Sequence, residues 1–440
     1  MTRSPRIIVQ GLVLLFSNVG SGAIQVAYTF ALARLLVPTD YGAYIALISA
    51  FGILGLVTSG IQPTVARRVA RSNAPFTLAS VIRIATNKGS TLIAIATVLI
   101  AIATVLIAAT LIAATPSIQS EFGLASPWPV WLLVPLTALV VIIPTLRGTL
   151  QGHRQFTALA SLSTVDVITR AVFGVALVWF GGGVTGAIGA QLAGAFIGLV
   201  ATLAYLIRRG ETPPEPTGSV VTAPPPDVFP RRPWSAFVTT PETQSMIASG
   251  CILVMLTLDA ALVARFFNAE ETATYSAVTI LGRSQFYLSS TVATLLLPFA
   301  ASPGRGNPRT ALGYGLAVTG ILNGAGLLVL IAVPELVVAG LFGPAYASAA
   351  PLLWHYALHA MMLSLANVVA TFLIGRGSRW IGIVALACTV VQVATVSLWH
   401  PDLDAVIIGL GAGSMTFLLG ALAMAYPKTF GPPPNQVVRA

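Results

Sequence analysis

The sequence predicts an all-α polytopic membrane protein of twelve helices, arranged as two parallel repeats of six. Three observations carry that expectation. The 440-residue chain is 56% hydrophobic and 8% charged, about a third of the charge a soluble domain carries. The stretch Arg34–Tyr44 returns without a gap as Arg265–Tyr275, so that Arg34 matches Arg265, Asp40 matches Glu271 and Tyr44 matches Tyr275. A single long polar segment, 208–241, lies between the two copies.

A chain this poor in charge cannot cover itself with water-facing groups, and its mean hydropathy is +0.88. Its surface needs lipid as solvent. In lipid only helices and closed barrels satisfy their own backbone. The apolar runs reach the roughly 20 residues a spanning helix needs and show no alternation of period two, so helices are expected. The spans read 7–36, 43–62, 89–114, 130–146, 157–180, 186–207, 246–267, 275–300, 311–333, 352–374, 381–399 and 405–426. The fourth is short and holds Pro135 and Pro144, which predicts a kink. Arg3 and Arg6 before an apolar run have the charge pattern of a signal peptide, and Ala31-Leu32-Ala33 mimics a cleavage site. The run from Ile7 to Ala33 is uncharged and well past the roughly 7–15 residues of a signal core, so it reads as an uncleaved first span.

Orientation follows from the basic residues. With the N-terminus inside, every Lys and Arg except Arg34, Arg265, Arg170 and Arg283 falls in an inner segment. That bias predicts cytoplasmic termini in a plasma membrane. It also accounts for the net charge of +10 without a nucleic-acid partner. Trp128, Trp131, Trp179, Trp354, Trp380 and Trp399 fall near span ends, as interfacial belts do. The proline-rich segment 208–241 reads as a cytoplasmic linker between an N-terminal bundle, 1–207, and a C-terminal bundle, 242–440. Six is even, so both bundles start inside, and transporters with such parallel repeats bind substrate between the halves. Cys251 and Cys388 lie in apolar runs and suggest neither a disulfide framework nor a zinc site.

Four ionisable residues lie well inside spans: Asp166 and Arg170 in the fifth, Asp259 in the seventh and Arg283 in the eighth. Each costs about 2.5–3.5 kcal/mol on insertion, and such residues mark interior-facing sites by default. Asp166 and Arg170 are four apart and share a helix face, so they can pair. Asp259 and Arg283 both sit about 12 Å below the outer surface at 1.5 Å per residue, and they can pair as well. Two readings stand side by side. The charges form structural ion pairs, or Arg283 and Arg170 meet an anionic head group while Asp259 and Asp166 carry a proton or sodium ion. Arginine's planar fork suits phosphate oxygens. Arg34 and Arg265 sit at the outer edge, where snorkelling accounts for them.

His355 and His359 have the i, i+4 spacing of a metal pair, but no acidic residue is near in sequence and an interfacial cluster is the expectation. Small-residue spacings at Gly182/Gly186, Gly194/Gly198 and Gly320/Gly324 suit close helix packing. No nucleotide-binding or hydrolase motif is present. No cofactor is expected, and any energy must come from a proton or sodium gradient or the membrane potential.

Several segments resemble one family. Arg34–Tyr44 is similar to the first outer turn of polysaccharide transporters of the O-antigen flippase type. Arg147–Phe156 looks like that family's fourth-to-fifth inner loop, Leu281-Gly282-Arg283 its eighth span, and Phe342-Gly343-Pro344-Ala345-Tyr346 the outer loop before its tenth. The resemblance covers nearly the whole chain outside 208–241 and extends to the wider exporter superfamily of multidrug (MATE) and lipid II carriers. It implies a V-shaped pair of six-helix bundles with a cavity lined by spans one, two, seven and eight. It implies flipping of polyprenyl-pyrophosphate-linked oligosaccharide for a surface polymer, with no enzymatic step. Carried onto this chain, Arg283 is the first candidate for the pyrophosphate and Arg34 the next, beside Arg170 from the reading of the buried charges. The bilayer and the lipid-linked glycan are the partners, and a glycan polymerase or glycosyltransferases fit beside them. A MATE-like cation antiporter, a lipid II flippase, a scaffold acting through the linker and a major-facilitator transporter are the alternatives. Lipid II flippases look richer in cavity cations. The major-facilitator signature is missing from the second-to-third loop, which reads Thr64–Arg71.

Overall fold

A computed structural model describes residues 5–58, 62, 65, 105–153, 155–209, 239–301 and 308–430. Most of the linker 208–241, the first part of the third span and the second-to-third loop lie outside these residues. Among the described residues the chain is all helix, with no strand. The helices are α1 Pro5–Leu35, α2 Pro38–Thr58, α3 Val105–Ala113, α4 Thr115–Phe122, α5 Trp128–Gly152, α6 Phe156–Leu177 and α7 Gly183–Arg209. They continue as α8 Pro241–Phe266, α9 Ala269–Ala301, α10 Pro308–Ala332, α11 Pro334–Leu341, α12 Leu353–Gly375, α13 Ile381–Leu398 and α14 Leu403–Phe430. Seven described segments are long and apolar enough to cross a membrane, and α3 with α4 make one further pair bent by 62°. One of the seven, Phe156–Arg208, has 53 residues, too many for a single crossing of a core about 30 Å thick. It breaks at Val178–Gly182, where Gly181 (φ 87°) and Gly183 (φ 51°) take backbone conformations that favour glycine.

The chain divides into two compact units, Met1–Arg231 with Phe267–Ser276, and Arg232–Phe266 with Ala277–Ala440. Each has the same internal pairing. In the first, α1 packs on α6, α6 on α7, and α5 on α7. In the second, α8 packs on α13, α13 on α14, and α12 on α14. First span against fifth, fifth against sixth, and fourth against sixth is therefore the rule in both, as a duplicated sequence requires.

The repeated stretch explains itself locally. Arg34 and Arg265 stand in the last turns of α1 and α8, and Asp40 and Glu271 in the first turns of α2 and α9. Cations at helix C-termini and carboxylates at N-termini offset the partial charges there, by about 0.3–1 kcal/mol each. The second copy adds a capping box: Glu271 N–H donates to Asn268 Oδ1 at 2.9 Å and Asn268 N–H to Glu271 Oε2 at 3.3 Å. Tyr44 and Tyr275 are both buried.

Some expectations are corrected. The fourth span is not short: α5 runs for 25 residues and includes both Pro135 and Pro144. Arg147, read as an inner-loop cation, is therefore on a helix. The glycine spacings divide. Gly194 and Gly198 seat α7 on α6, since a Cβ at Gly194 would lie 2.8 Å from Arg170 Cβ and one at Gly198 3.1 Å from Asp166 Cβ. A Cβ at Gly320 or Gly324 would meet nothing within 4 Å among the described residues, so these two seat no described helix.

Candidate functional site: a charged network in each bundle

The second unit holds the more deeply buried charges. Its core draws on α8, α9, α10, α12, α13 and α14, and includes Met255, Leu256, Phe286, Leu312, Phe372 and Phe417. Asp259 on α8 and Arg283 on α9 are 2% and 9% exposed. Arg283 Nη2 donates to Asp259 Oδ1 at 2.9 Å and to the Thr257 carbonyl at 3.1 Å, and its Nε donates to the Leu256 carbonyl at 3.1 Å. Tyr356 of α12 donates its hydroxyl to Asp259 Oδ2 at 2.6 Å. Both carboxylate oxygens are thus held, by a cation and by a short charge-assisted bond. Gly282 makes the room: a Cβ there would overlap Tyr356 Cδ1. The sequence brought Asp259 and Arg283 to one depth but gave no sign of Tyr356. The one signal for it is the glycine beside Arg283.

The same unit places His355 and His359 on different partners. His359 Nδ1 is 2.9 Å from Ser414 Oγ, and His355 Nδ1 is 3.2 Å from Asp404 Oδ1. Gln244 of α8 closes the end of α13, its Oε1 accepting from the backbone N–H of Gly382 at 2.8 Å and of Ile383 at 3.2 Å. Those amides have no partner within their own helix.

In the first unit the expected pairing of Asp166 with Arg170 does not form. Asp166 accepts from Arg147 Nη2 at 3.0 Å, while Arg170 Nη1 donates to Gln191 Oε1 at 2.9 Å. Gln191 Nε2 passes the chain on to the Tyr44 hydroxyl at 2.9 Å. The cause is register. Gly194 and Gly198 bring α7 against the backbone of α6, and Gln191, one turn before Gly194, meets the guanidinium. Arg147 reaches Asp166 from α5, and its Nη2 would lie 3.7 Å from a Cβ at Gly198. The sequence reading missed Arg147 because it ended the fourth span at 146. Gln191 and Tyr44 carried no charge to draw notice.

The two units differ in charge balance. In the second, Asp259 and Arg283 cancel. In the first, Asp166 pairs with Arg147 alone, and no ion pair forms at Arg170 among the described residues. The Nε atoms of Arg147 and Arg170 are buried without a hydrogen-bond partner, and such donors cost about 1–3 kcal/mol each when left unmade. Arg34 lies apart, exposed at the end of α1.

Residues 8–302 match the family described as polysaccharide biosynthesis protein. No curated protein matches the sequence. Among solved structures, a MATE transporter in complex with MaD5 aligns with a TM-score of 0.60 at 16% identity, over 95% of this chain and 94% of that one. A MOP superfamily transporter from Pyrococcus furiosus, reported to have a binding pocket of reverse polarity, aligns at 0.61 and 16%, over 95% of each chain. Lipid II flippase MurJ in its inward closed conformation aligns at 0.61 and 12%, over 95% of this chain and 87% of that one. Identities this low speak to the fold, which is that of the MOP transporters. With more than half of its length matched by one family, the chain belongs to the polysaccharide biosynthesis protein family.

Proposed function

We propose that the protein flips polyprenyl-pyrophosphate-linked oligosaccharide across the plasma membrane by alternating access, for assembly of a surface polysaccharide. The observation that carries this reading is the guanidinium of Arg170, inside an apolar span and with no carboxylate partner among the described residues. An anionic head group supplies the acceptors that Arg170 lacks, and an arginine fork matches phosphate oxygens. Arg283 is a reserve cation. Its fork is occupied by Asp259, so a pyrophosphate must displace that carboxylate to use it. Asp259, once displaced, becomes the group that takes a proton or a sodium ion. Asp166 shares this potential through Arg147. Arg34 serves at the outer edge, with the termini cytoplasmic. Outward movement of an anion is favoured by an inside-negative potential, by about 2.3 kcal/mol per charge per 100 mV.

A cation antiporter needs the opposite balance, a bare carboxylate in the interior. Both interior carboxylates here are held by arginine, which favours the anionic substrate. The test is binding of a labelled polyprenyl-pyrophosphate glycan to the protein in lipid vesicles. Arg170→Gln is expected to abolish binding, and Arg283→Gln to weaken it less. Unchanged binding by a folded Arg170→Gln protein removes the site from this account.

A further inference from the structure

Arg147, Arg170 and Arg283 are the arginines of the two networks, and their partners differ in kind. Arg283 and Arg147 each place Nη2 on a carboxylate oxygen, of Asp259 at 2.9 Å and of Asp166 at 3.0 Å. Arg170 meets an amide instead, Gln191 Oε1 at 2.9 Å. Glutamine has the shape of glutamate. A carboxylate at position 191 would set an oxygen in the same place, so the packing of α7 on α6 has room for an ion pair that the sequence does not make. The amide is also fixed in direction. Its Nε2 donates to the Tyr44 hydroxyl at 2.9 Å, which leaves Oε1, its only acceptor, for the guanidinium. Gln191 and Tyr44 are 9% and 3% exposed, so the surrounding packing holds that orientation.

A second carboxylate is within reach of Arg170. Asp166 stands four residues before it on α6, a spacing at which side chains on one helix face meet. Arg147 of α5 draws it away. Gly198 admits that guanidinium, since a Cβ there would lie 3.7 Å from Arg147 Nη2 and 3.1 Å from Asp166 Cβ. With Asp166 taken by Arg147, the cluster keeps one positive charge in excess, and that charge is on Arg170.

We propose that Arg147 and Gln191 set the sign of this site. Arg147 holds Asp166 off Arg170, and Gln191 offers Arg170 an acceptor that carries no charge. Both are positioning residues that act through Arg170 on the pyrophosphate of the lipid-linked glycan, so the inference rests on the flippase reading above. A carboxylate turned onto Arg170 from either side cancels the charge that selects an anion.

The test is binding of the labelled polyprenyl-pyrophosphate glycan to the full chain in lipid vesicles. Gln191→Glu keeps the shape of the side chain and adds one negative charge. It is expected to weaken binding by about tenfold or more, the scale of a charge pair a few ångströms apart in a partly buried site. Arg147→Gln frees Asp166 to turn to Arg170 and is expected to weaken binding by a similar factor. Arg147→Gln/Asp166→Asn removes the freed carboxylate as well, and is expected to recover binding to within about threefold of the parent. Were Arg147 itself a ligand of the anion, the double variant would recover nothing. Were Gln191 merely structural, Gln191→Glu would bind as the parent does. Melting temperature reports whether each variant is folded, and the two routes are independent, so loss of fold in one leaves the other to decide. The inference is overturned if Gln191→Glu binds as tightly as the parent, or if the double variant stays as weak as Arg147→Gln. A parent that binds no glycan overturns the flippase reading and this inference with it. A parent that binds, with variants outside this pattern, overturns the inference alone.

Discussion

Gly282→Ala is a one-methyl change that reaches the centre of the second bundle. The added Cβ would overlap Cδ1 and Cε1 of Tyr356 and lie 3.4 Å from Ala360 Cβ. Tyr356 is 0% exposed, so the ring cannot swing away into open space. It must shift within a packed core, and its hydroxyl then leaves Asp259. Overpacking costs about 1–3 kcal/mol, and a hydrogen bond to a charged group is worth about 1.5–3 kcal/mol. We therefore expect a loss of about 3–5 kcal/mol in unfolding free energy. The assay is chemical unfolding in detergent micelles followed by tryptophan fluorescence. A double-mutant cycle with Tyr356→Leu separates the causes. Once the ring is gone the methyl has room, so the alanine should cost at least about 1 kcal/mol less when Tyr356→Leu is already present. The reasoning is refuted if Gly282→Ala lies within about 0.5 kcal/mol of the parent, or if the two substitutions are additive.

Two further outcomes are expected. Gly194→Ala should destabilise by about 1–3 kcal/mol, because its Cβ meets Arg170 Cβ at 2.8 Å and the Asp166 carbonyl oxygen at 3.0 Å. Gly320→Ala meets nothing within 4 Å and should gain up to about 1 kcal/mol from helix propensity. Equal effects in thermal unfolding would contradict the packing described. For pH, burial holds the His153 imidazole below its ordinary value. Its folded form resists protonation that the unfolded chain accepts. The stability it contributes is present above the ordinary value near about 6.5 and is lost as pH falls from there towards the folded value. Melting temperature should drop more steeply with acid in the parent than in His153→Gln, and parallel slopes would contradict it.

The fold was legible because its causes are local or repeated. Lipid solvation demands long apolar helices, and the copies Arg34–Tyr44 and Arg265–Tyr275 fix the duplication. Asp166, Arg170, Asp259 and Arg283 were legible for the same reason, since an ionisable residue in an apolar run stands out; Arg147, at the end of its run, was not. Nor were the partners. Asp166 and Arg170 share a helix face by spacing, yet the observed partners come from α5 and α7, and no periodicity on α6 can specify them. Tyr356 and Gln191 are uncharged and distant in sequence, so their roles emerge only when helices pack. Identical glycine spacings packed at Gly194/Gly198 and seated no described helix at Gly320/Gly324, because a spacing permits close approach without supplying the neighbour.

The central claim is that the interior of these bundles handles an anionic lipid-linked glycan. It is tested most directly by reconstituting the protein in vesicles with a labelled polyprenyl-pyrophosphate oligosaccharide, imposing a membrane potential, and following delivery of the glycan to the opposite leaflet. The account predicts translocation that accelerates when the potential drives anions along the transport direction, and that Arg170→Gln abolishes. Vesicles that move an organic cation such as ethidium against a proton gradient, while leaving the glycan in place, would contradict it.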